Sequence, residues 1–172
     1  MNGSIEVQNE HGQGRAFTLQ LDLAPVTASA AAAAAAQTDT ALLKGRRILL
    51  VEDHPLNAQI AQRMLEKQQL LVETAANGAI AVQMFSSSTP DYYDAILMDI
   101  RMPVLDGHGA AKQIRTLARP DARTVPIIAM TADAFDGDVR ASLQSGMNAH
   151  LNKPIEPEVL YRTLAKFLNT EK

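Results

Sequence analysis

The sequence predicts an α/β domain in which helices cover both faces of a parallel β-sheet, preceded by a β-hairpin and a linker. From residue 46 onward, short apolar runs alternate five times with segments of helical periodicity, which is typical of strand–helix units in a parallel sheet. The apolar runs are continuous, as strands covered on both faces are. The composition agrees, since 47% of the 172 residues are hydrophobic and 20% are charged.

The chain before this domain divides into two further regions. Residues 1–24 alternate apolar and polar side chains on either side of "HGQG", and this period of two predicts a β-hairpin. Residues 25–45 contain Pro25, several Ser and Thr residues and a run of seven alanines, without a strong apolar face. We therefore interpret residues 25–45 as a flexible linker and residues 46–172 as the α/β domain.

Within that domain each element follows from its own pattern. The run "ILLV" predicts the first strand, and Leu56, Ile60 and Met64 then recur at helical spacing, with Ala61 and Leu65 widening the apolar stripe. The remaining predicted elements are a second strand that opens at residues 71–72, helix 79–85, strand 95–98, helix 109–117, strand 125–130, a helix near 134–144, strand 149–152 and helix 156–168.

Composition excludes several classes of function. A net charge of -3, with three tyrosines, four phenylalanines and no tryptophan, argues against a nucleic-acid partner. The absence of cysteine excludes disulfides and thiolate metal sites, which fits a cytoplasmic location. No apolar run approaches the roughly 18 residues that span a bilayer, so we expect no direct membrane contact from this chain, although a longer parent protein could be membrane-bound.

Polar side chains mark the carboxyl ends of four predicted strands. Glu52 and Asp53 follow the first strand, Asp99 the third, Thr131 the fourth and Lys153 the fifth. In a doubly wound parallel sheet these ends share one edge, where ligands gather in the crevice. Taken singly, each residue has a plainer role, such as capping a helix, beginning a turn or carrying a solvated charge. Their convergence at one edge favours a functional site.

The chemistry of that site follows from its charges. Three neighbouring carboxylates repel one another, and a hard divalent cation relieves the repulsion. Asp53 and Asp99 suit Mg²⁺ as direct ligands, with Mn²⁺ as an alternative ion and with Glu52 acting nearby or through water. The Asp99 carboxylate is also a competent nucleophile toward phosphorus, giving an aspartyl phosphate. Thr131 could then donate to the phosphoryl oxygens, and Lys153 could place a positive charge on them.

Four further residues are expected to shape the backbone around this site. Pro103, Asp106 and Gly107 are expected to fix the shape of the loop after Asp99. Pro154 follows Lys153 directly, and the bond between them is a candidate cis peptide, since X-Pro bonds alone adopt that form readily.

The segments "LLVEDHPLN", "AILMDIRMPVLDG", "IIAMTA" and "GMNAHLNKPI" together resemble the receiver domain of two-component response regulators, and the resemblance covers residues 46–172. It implies a flavodoxin-like fold with strand order 2-1-3-4-5. It further implies phosphorylation of Asp99, Mg²⁺ on Asp53, Asp99 and the backbone carbonyl of Arg101 with Glu52 assisting, and contacts of Thr131 and Lys153 with the phosphoryl group.

One residue departs from the pattern of that family. Many receivers carry Tyr or Phe three residues before the lysine, as a switch coupled to the threonine, and here that position is His150. Either His150 packs at the end of the fifth strand, or it acts as a switch together with Thr131. The other histidines, His11, His54 and His108, are interpreted as surface or loop residues.

The N-terminal hairpin resembles the last hairpin of a histidine-kinase ATP-binding domain, whose final glycine box matches Gly12 and Gly14. The other ATP-binding motifs are absent, so this segment should not bind ATP. The chain thus resembles the C-terminal part of a hybrid sensor histidine kinase. That implies a phosphohistidine donor in the kinase domain of the same protein and a histidine phosphotransfer domain as acceptor. The fragment would catalyse its own phosphorylation, whereas the parent protein would be a kinase.

Two alternatives remain open on the sequence. A phosphatase of the haloacid dehalogenase type shares the Asp, Thr, Lys and Mg²⁺ chemistry. It needs a second acid two residues after the nucleophile, however, where this chain has Arg101. The other alternative is an interaction domain that works without phosphorylation, which the intact acid set disfavours.

Overall fold

The computed structural model describes the backbone of residues 3–10, 14–21, 42–132 and 136–169, and the side chains of residues 42–132 and 140–169. The chain forms two compact units, divided between Ala33 and Ala34. In the first unit, β1 (Gly3–Glu10) and β2 (Gly14–Leu21) pair antiparallel as the predicted hairpin. His11 and Gly12 lie outside the described residues.

The second unit is a five-stranded parallel sheet with a helix after each strand. The order of the strands across the sheet is β4-β3-β5-β6-β7, which is 2-1-3-4-5 when they are numbered within the unit, as the resemblance implies. The elements are β3 (Arg47–Val51), α1 (Pro55–Lys67), β4 (Leu71–Ala75), α2 (Gly78–Ser87), β5 (Ala95–Asp99), α3 (Gly107–Thr116), a 3-10 turn (Pro120–Ala122), β6 (Ile127–Thr131), α4 (Asp136–Gln144), β7 (Ala149–Asn152) and α5 (Pro157–Leu168).

Two apolar layers hold this unit together, one on each face of the sheet. On one face, alternate residues of the central strands pack with Ala81 and Phe85 of α2 and with α3. On the other face, the intervening residues of the same strands pack with Leu65 of α1 and Leu164 of α5. Strands β5 and β6 are buried along their whole length, which explains their continuous apolar runs.

Only part of the predicted apolar stripe of α1 is buried against the sheet. Ala61 and Leu65 are buried against the sheet, whereas Leu56 is 58% exposed and Ile60 is 46% exposed. Residues 61 and 65 lie four apart on one helix face, and that face meets the sheet. Leu56 and Ile60 are turned away from it, so an apolar surface remains beside the carboxyl edge.

The packed unit begins before residue 46. Residues 42–45 form a turn, and Leu43 is fully buried in the same apolar cluster as Leu65 and Leu168. The Gly45 N–H donates to the carbonyl of Gln69 over 2.9 Å. Leu43, which lies in the segment predicted to be a linker, is therefore part of the domain core, and its neighbours 42, 44 and 45 belong to the packed unit. No helix in the described part of the chain is long and apolar enough to cross a membrane.

Candidate functional site

The carboxyl edge of the sheet brings the predicted polar residues together. Asp99 is the last residue of β5 and Thr131 the last of β6, while Glu52 and Lys153 directly follow β3 and β7. Because β3, β5, β6 and β7 are successive neighbours in a parallel sheet, their ends line one side of the molecule.

Lys153 forms ion pairs with two of the acids. Its Nζ lies 2.6 Å from Oε2 of Glu52 and 2.7 Å from Oδ2 of Asp99. Both carboxylates are buried, with 5% and 6% of Glu52 and Asp99 exposed. A buried carboxylate is tolerated only with a close positive partner, and the lysine supplies one charge for two acids.

A third acid completes the cluster. Glu52, Asp53 and Asp99 each offer a carboxylate oxygen, and these oxygens lie within 4.8 Å of one another. Glu52 and Asp99 are buried, and Asp53 is exposed, so the cluster opens to solvent on the Asp53 side. An all-oxygen set at this spacing fits a hard divalent cation such as Mg²⁺, which commonly takes one or two carboxylates and keeps several waters.

The one positive charge of Lys153 does not balance the acids of the cluster. Burial raises the pKa of the Asp99 carboxyl, and the charge of Glu52 adds to this, against the opposite effects of Lys153 and the Arg101 N–H. Burial alone would lower the pKa of the Lys153 ammonium, but its hydrogen bonds to Asp99 and Glu52 raise the pKa above its ordinary value. The lysine therefore stays protonated, while Asp99 ionises less readily than a free aspartate.

The loop after Asp99 is held by backbone contacts. The Arg101 N–H donates to Oδ1 of Asp99 over 3.3 Å, and the Gly107 N–H donates to the carbonyl of Ile100 over 3.0 Å. A Cβ on Gly107 would overlap the Asp99 carbonyl oxygen, so only glycine allows this close approach. Asp106 caps α3 by accepting from the Gly109 N–H over 2.7 Å.

Comparison with known proteins agrees with this geometry. The family model for the response regulator receiver domain matches residues 48–165. The chain belongs to this family. Its receiver domain is similar to that of the sensor histidine kinase PA1611 from Pseudomonas aeruginosa, which was solved with a magnesium ion coordinated in its active-site cleft. The two are 44% identical, with a TM-score of 0.66, over 73% of this chain and 99% of that one.

Two further relatives place the receiver domain in a wider context. The aerobic respiration control sensor protein ArcB of Escherichia coli is 34% identical over 171 residues, which is 99% of this chain and 21% of ArcB. The chain thus spans about a fifth of that relative. The receiver domain of the Saccharomyces cerevisiae response regulator Ssk1, solved with the histidine phosphotransfer protein Ypd1, is 30% identical with a TM-score of 0.64. That match covers 72% of this chain and 89% of the other.

Other predicted residues of the receiver domain have mixed outcomes. Thr131 is buried, and its carbonyl accepts from the Lys153 N–H over 2.7 Å. The Lys153–Pro154 peptide is cis, as predicted. His150 is exposed on β7, so it is not packed into the core at the end of that strand. A switch role for His150 stays a prediction.

Two polar contacts were not predicted from the sequence. The side-chain amide of Asn57, the last residue of the segment "LLVEDHPLN", donates to Oε1 of Glu52 over 3.0 Å. His108, interpreted as a surface or loop residue, is half-buried in α3, with Nδ1 3.1 Å from Oγ of Ser145. A polar residue in the first turn after an acidic strand end is the signal that would have indicated Asn57.

Proposed function

We propose that residues 46–172 are a phosphoacceptor module in a two-component phosphorelay. In this proposal, Asp99 takes a phosphoryl group from a phosphohistidine and passes it to the histidine of a phosphotransfer domain. The observation that carries the proposal is that Lys153 Nζ contacts both Asp99 and Glu52 inside a three-acid cluster open to solvent. That arrangement provides a nucleophile, a fixed positive charge and oxygen ligands in one cleft.

The residues of the chain divide the chemistry between them. One carboxylate oxygen of Asp99 forms a bond to phosphorus as the phosphorus–nitrogen bond to histidine breaks and the imidazole keeps that electron pair. The Arg101 N–H and Lys153 hold the two Asp99 oxygens from different sides. Lys153 and Thr131 then contact the phosphoryl oxygens. Asp53, Asp99 and the Arg101 carbonyl, with Glu52 assisting, would hold Mg²⁺, which when bound would supply positive charge against the transferring group.

Relatives support the proposed cofactor and partners. Magnesium in the cleft of the PA1611 receiver supports Mg²⁺ here, and the complex of Ssk1 with Ypd1 supports a histidine phosphotransfer partner. The match to the sensor protein ArcB extends over 99% of this chain, which includes the hairpin and the linker. We therefore propose that residues 1–24 are the end of a kinase ATP-binding domain, and that this kinase is the phosphohistidine donor.

The phosphatase alternative is not favoured. Its general acid would have to stand two residues after Asp99, and that residue is the cation Arg101. Without that acid, attacking water is poorly activated, so the acyl phosphate should persist. Negligible turnover of a phosphate monoester is expected.

Incubation with acetyl phosphate and Mg²⁺, followed by intact-mass spectrometry, tests the proposal. We expect phosphorylation of the chain, its loss in Asp99→Asn, and transfer to Ypd1 as a model phosphotransfer protein. Asp106→Asn is a matched control, because it removes a nearby carboxylate while asparagine still caps α3. Phosphorylation of Asp99→Asn at the rate of the unsubstituted chain would overturn the assignment.

A further inference from the structure

Two donors from different elements hold the Glu52 carboxylate. Lys153 Nζ lies 2.6 Å from Oε2, and the side-chain amide of Asn57 donates to Oε1 over 3.0 Å. Glu52 is only 5% exposed, so water cannot easily replace a lost donor. The orientation of this carboxylate within the acid cluster therefore depends on α1 as well as on the lysine.

At the start of α1, the Asn57 side chain contacts Glu52 and does not cap the helix backbone. Asn57 is the third residue of α1, from which a polar side chain commonly reaches back to the backbone at the helix start. The N-cap residue His54 makes no side-chain capping hydrogen bond, and Asn57 reaches past it to Glu52. The polar side chain at this helix start is thus directed at the acid cluster.

We propose that Asn57 is a positioning residue for the cation site. It holds the Glu52 carboxylate with Oε2 toward Lys153, in the same cluster as Asp53 and Asp99, so that a divalent cation meets a prearranged set of oxygens. This inference rests on the proposed function, because it takes the acid cluster as the magnesium site.

The effect of Asn57 is geometric. Three carboxylates and one ammonium give the cluster a formal charge of minus two, and a neutral amide does not change that value. Loss of the amide therefore leaves the attraction for a cation in place, but Oε1 of Glu52 loses its donor and the carboxylate can turn about its remaining contact with Lys153. Hydrogen-bond partners that orient metal-binding carboxylates in this way typically affect metal affinity by about 10- to 100-fold.

The same helix contains a matched control. Gln62 donates from its side-chain amide to Oε1 of Glu66 over 2.7 Å, on an exposed part of α1. It is also an amide–carboxylate contact, but its carboxylate does not belong to the acid cluster. If loss of any amide–carboxylate contact on α1 weakened Mg²⁺ binding, replacing either Asn57 or Gln62 would do so. A positioning role predicts weaker binding only when Asn57 is replaced.

The experiment is a magnesium titration of the full chain and of Asn57→Ala and Gln62→Ala, by calorimetry and by NMR of the ¹⁵N-labelled proteins. We expect Asn57→Ala to bind Mg²⁺ roughly tenfold more weakly, and Gln62→Ala to match the unsubstituted chain. In the unsubstituted chain, the side-chain amide resonances of Asn57 should move on adding Mg²⁺, while those of Gln62 stay in place. This second measurement needs no variant, so it remains decisive if a substitution impairs folding.

The outcomes separate this inference from the proposed function. If the unsubstituted chain binds Mg²⁺, but Asn57→Ala binds it equally well or the Asn57 amide does not respond, the positioning role is wrong and the proposed function stands. If the unsubstituted chain shows no saturable Mg²⁺ binding, the proposed magnesium site is wrong, and the role of Asn57 falls with it.

Discussion

The two edges of the sheet differ in how many acids surround each buried cation. At the carboxyl edge, one ammonium of Lys153 faces the three acids Glu52, Asp53 and Asp99. At the amino edge, in the connection between α3 and β6, one guanidinium faces one acid. There Arg119 Nε lies 2.6 Å from Oδ1 of Asp121, and its Nη2 donates to Oδ2 over 2.8 Å.

The contacts of Arg119 extend well beyond this ion pair. Its guanidinium carbon lies 4.2 Å from the centre of the Phe85 ring, and its N–H groups donate to the carbonyls of Phe85, Ser88 and Thr89 near the end of α2. Asp121 accepts in addition from the Asp91 N–H over 2.8 Å. The pair therefore fastens the end of α2 to the segment before β6.

The pKa values of the two acids move in opposite directions. Burial raises the pKa of Asp99, and the single lysine does not overcome it. Burial also opposes ionisation of Asp121, but the hydrogen bonds from Arg119 and the Asp91 N–H outweigh it and lower the pKa. The ion pair at the amino edge thus stabilises the fold, whereas the acids at the carboxyl edge keep an electrostatic cost that a bound cation would relieve.

The largest expected effect comes from breaking the amino edge. Arg119→Met should lower the free energy of unfolding by about 3–5 kcal/mol, because it leaves the buried Asp121 carboxylate without its cation. Urea unfolding followed by circular dichroism measures this change. Arg123→Met is the control, since Arg123 is an exposed arginine in the same connection. Equal losses in the two variants would contradict the importance given to this pair, and phosphorylation of the folded Arg119→Met protein should stay close to normal.

An effect of intermediate size is expected in the pH dependence of stability, where Asp121 and Asp99 should differ when Mg²⁺ is absent. The stability that Asp121 contributes is present above its ordinary pKa of 3.8 and is lost as the pH falls through its lowered folded value. Asp121→Asn should therefore cost roughly 2 kcal/mol at neutral pH and less in acid. Because the folded pKa of Asp99 is raised, its contribution is present below 3.8 and lost as the pH rises.

Asp99→Asn should accordingly stabilise the protein by roughly 1 kcal/mol at neutral pH, as the relief of an electrostatic cost at a functional site often does. Urea unfolding at several pH values between acid and neutral measures both variants. Shifts of the same sign at neutral pH would show that the two edges do not differ in the way described.

The sequence predicted the carboxyl edge far better than the amino edge, for a physical reason. Polar residues that end apolar strands are visible in the sequence, and the parallel topology alone brings Asp99 and Lys153 to one edge. Arg119 and Asp121 stand in a loop without periodicity, and their burial depends on Phe85 and the turn around them. Leu43 was likewise assigned to the linker, because nothing in its local pattern shows that the core receives it.

The smallest expected effect compares two helix caps. Asn77 accepts from the Ile80 N–H at the start of α2 over 2.9 Å, and Asp106 accepts from the Gly109 N–H at the start of α3 over 2.7 Å. Replacing either by Ala should cost about 1 kcal/mol of unfolding free energy, because each cap satisfies one backbone donor.

The two caps should nevertheless differ in function. The residue after Asp106 is Gly107, whose N–H donates to the carbonyl of Ile100, directly beside Asp99, whereas the residue after Asn77 is Gly78, whose N–H donates over 3.1 Å to the carbonyl of Leu105, at the far end of the same loop. We expect Asp106→Ala to slow phosphorylation by acetyl phosphate more than Asn77→Ala does, at equal cost in stability, because the contact at the start of α3 lies nearer to Asp99. Equal rates in the two variants would mean that the start of α3 does not control the Asp99 loop. The loop would then be held by the close approach of Gly107 to the Asp99 carbonyl, which Gly107→Ala would disrupt.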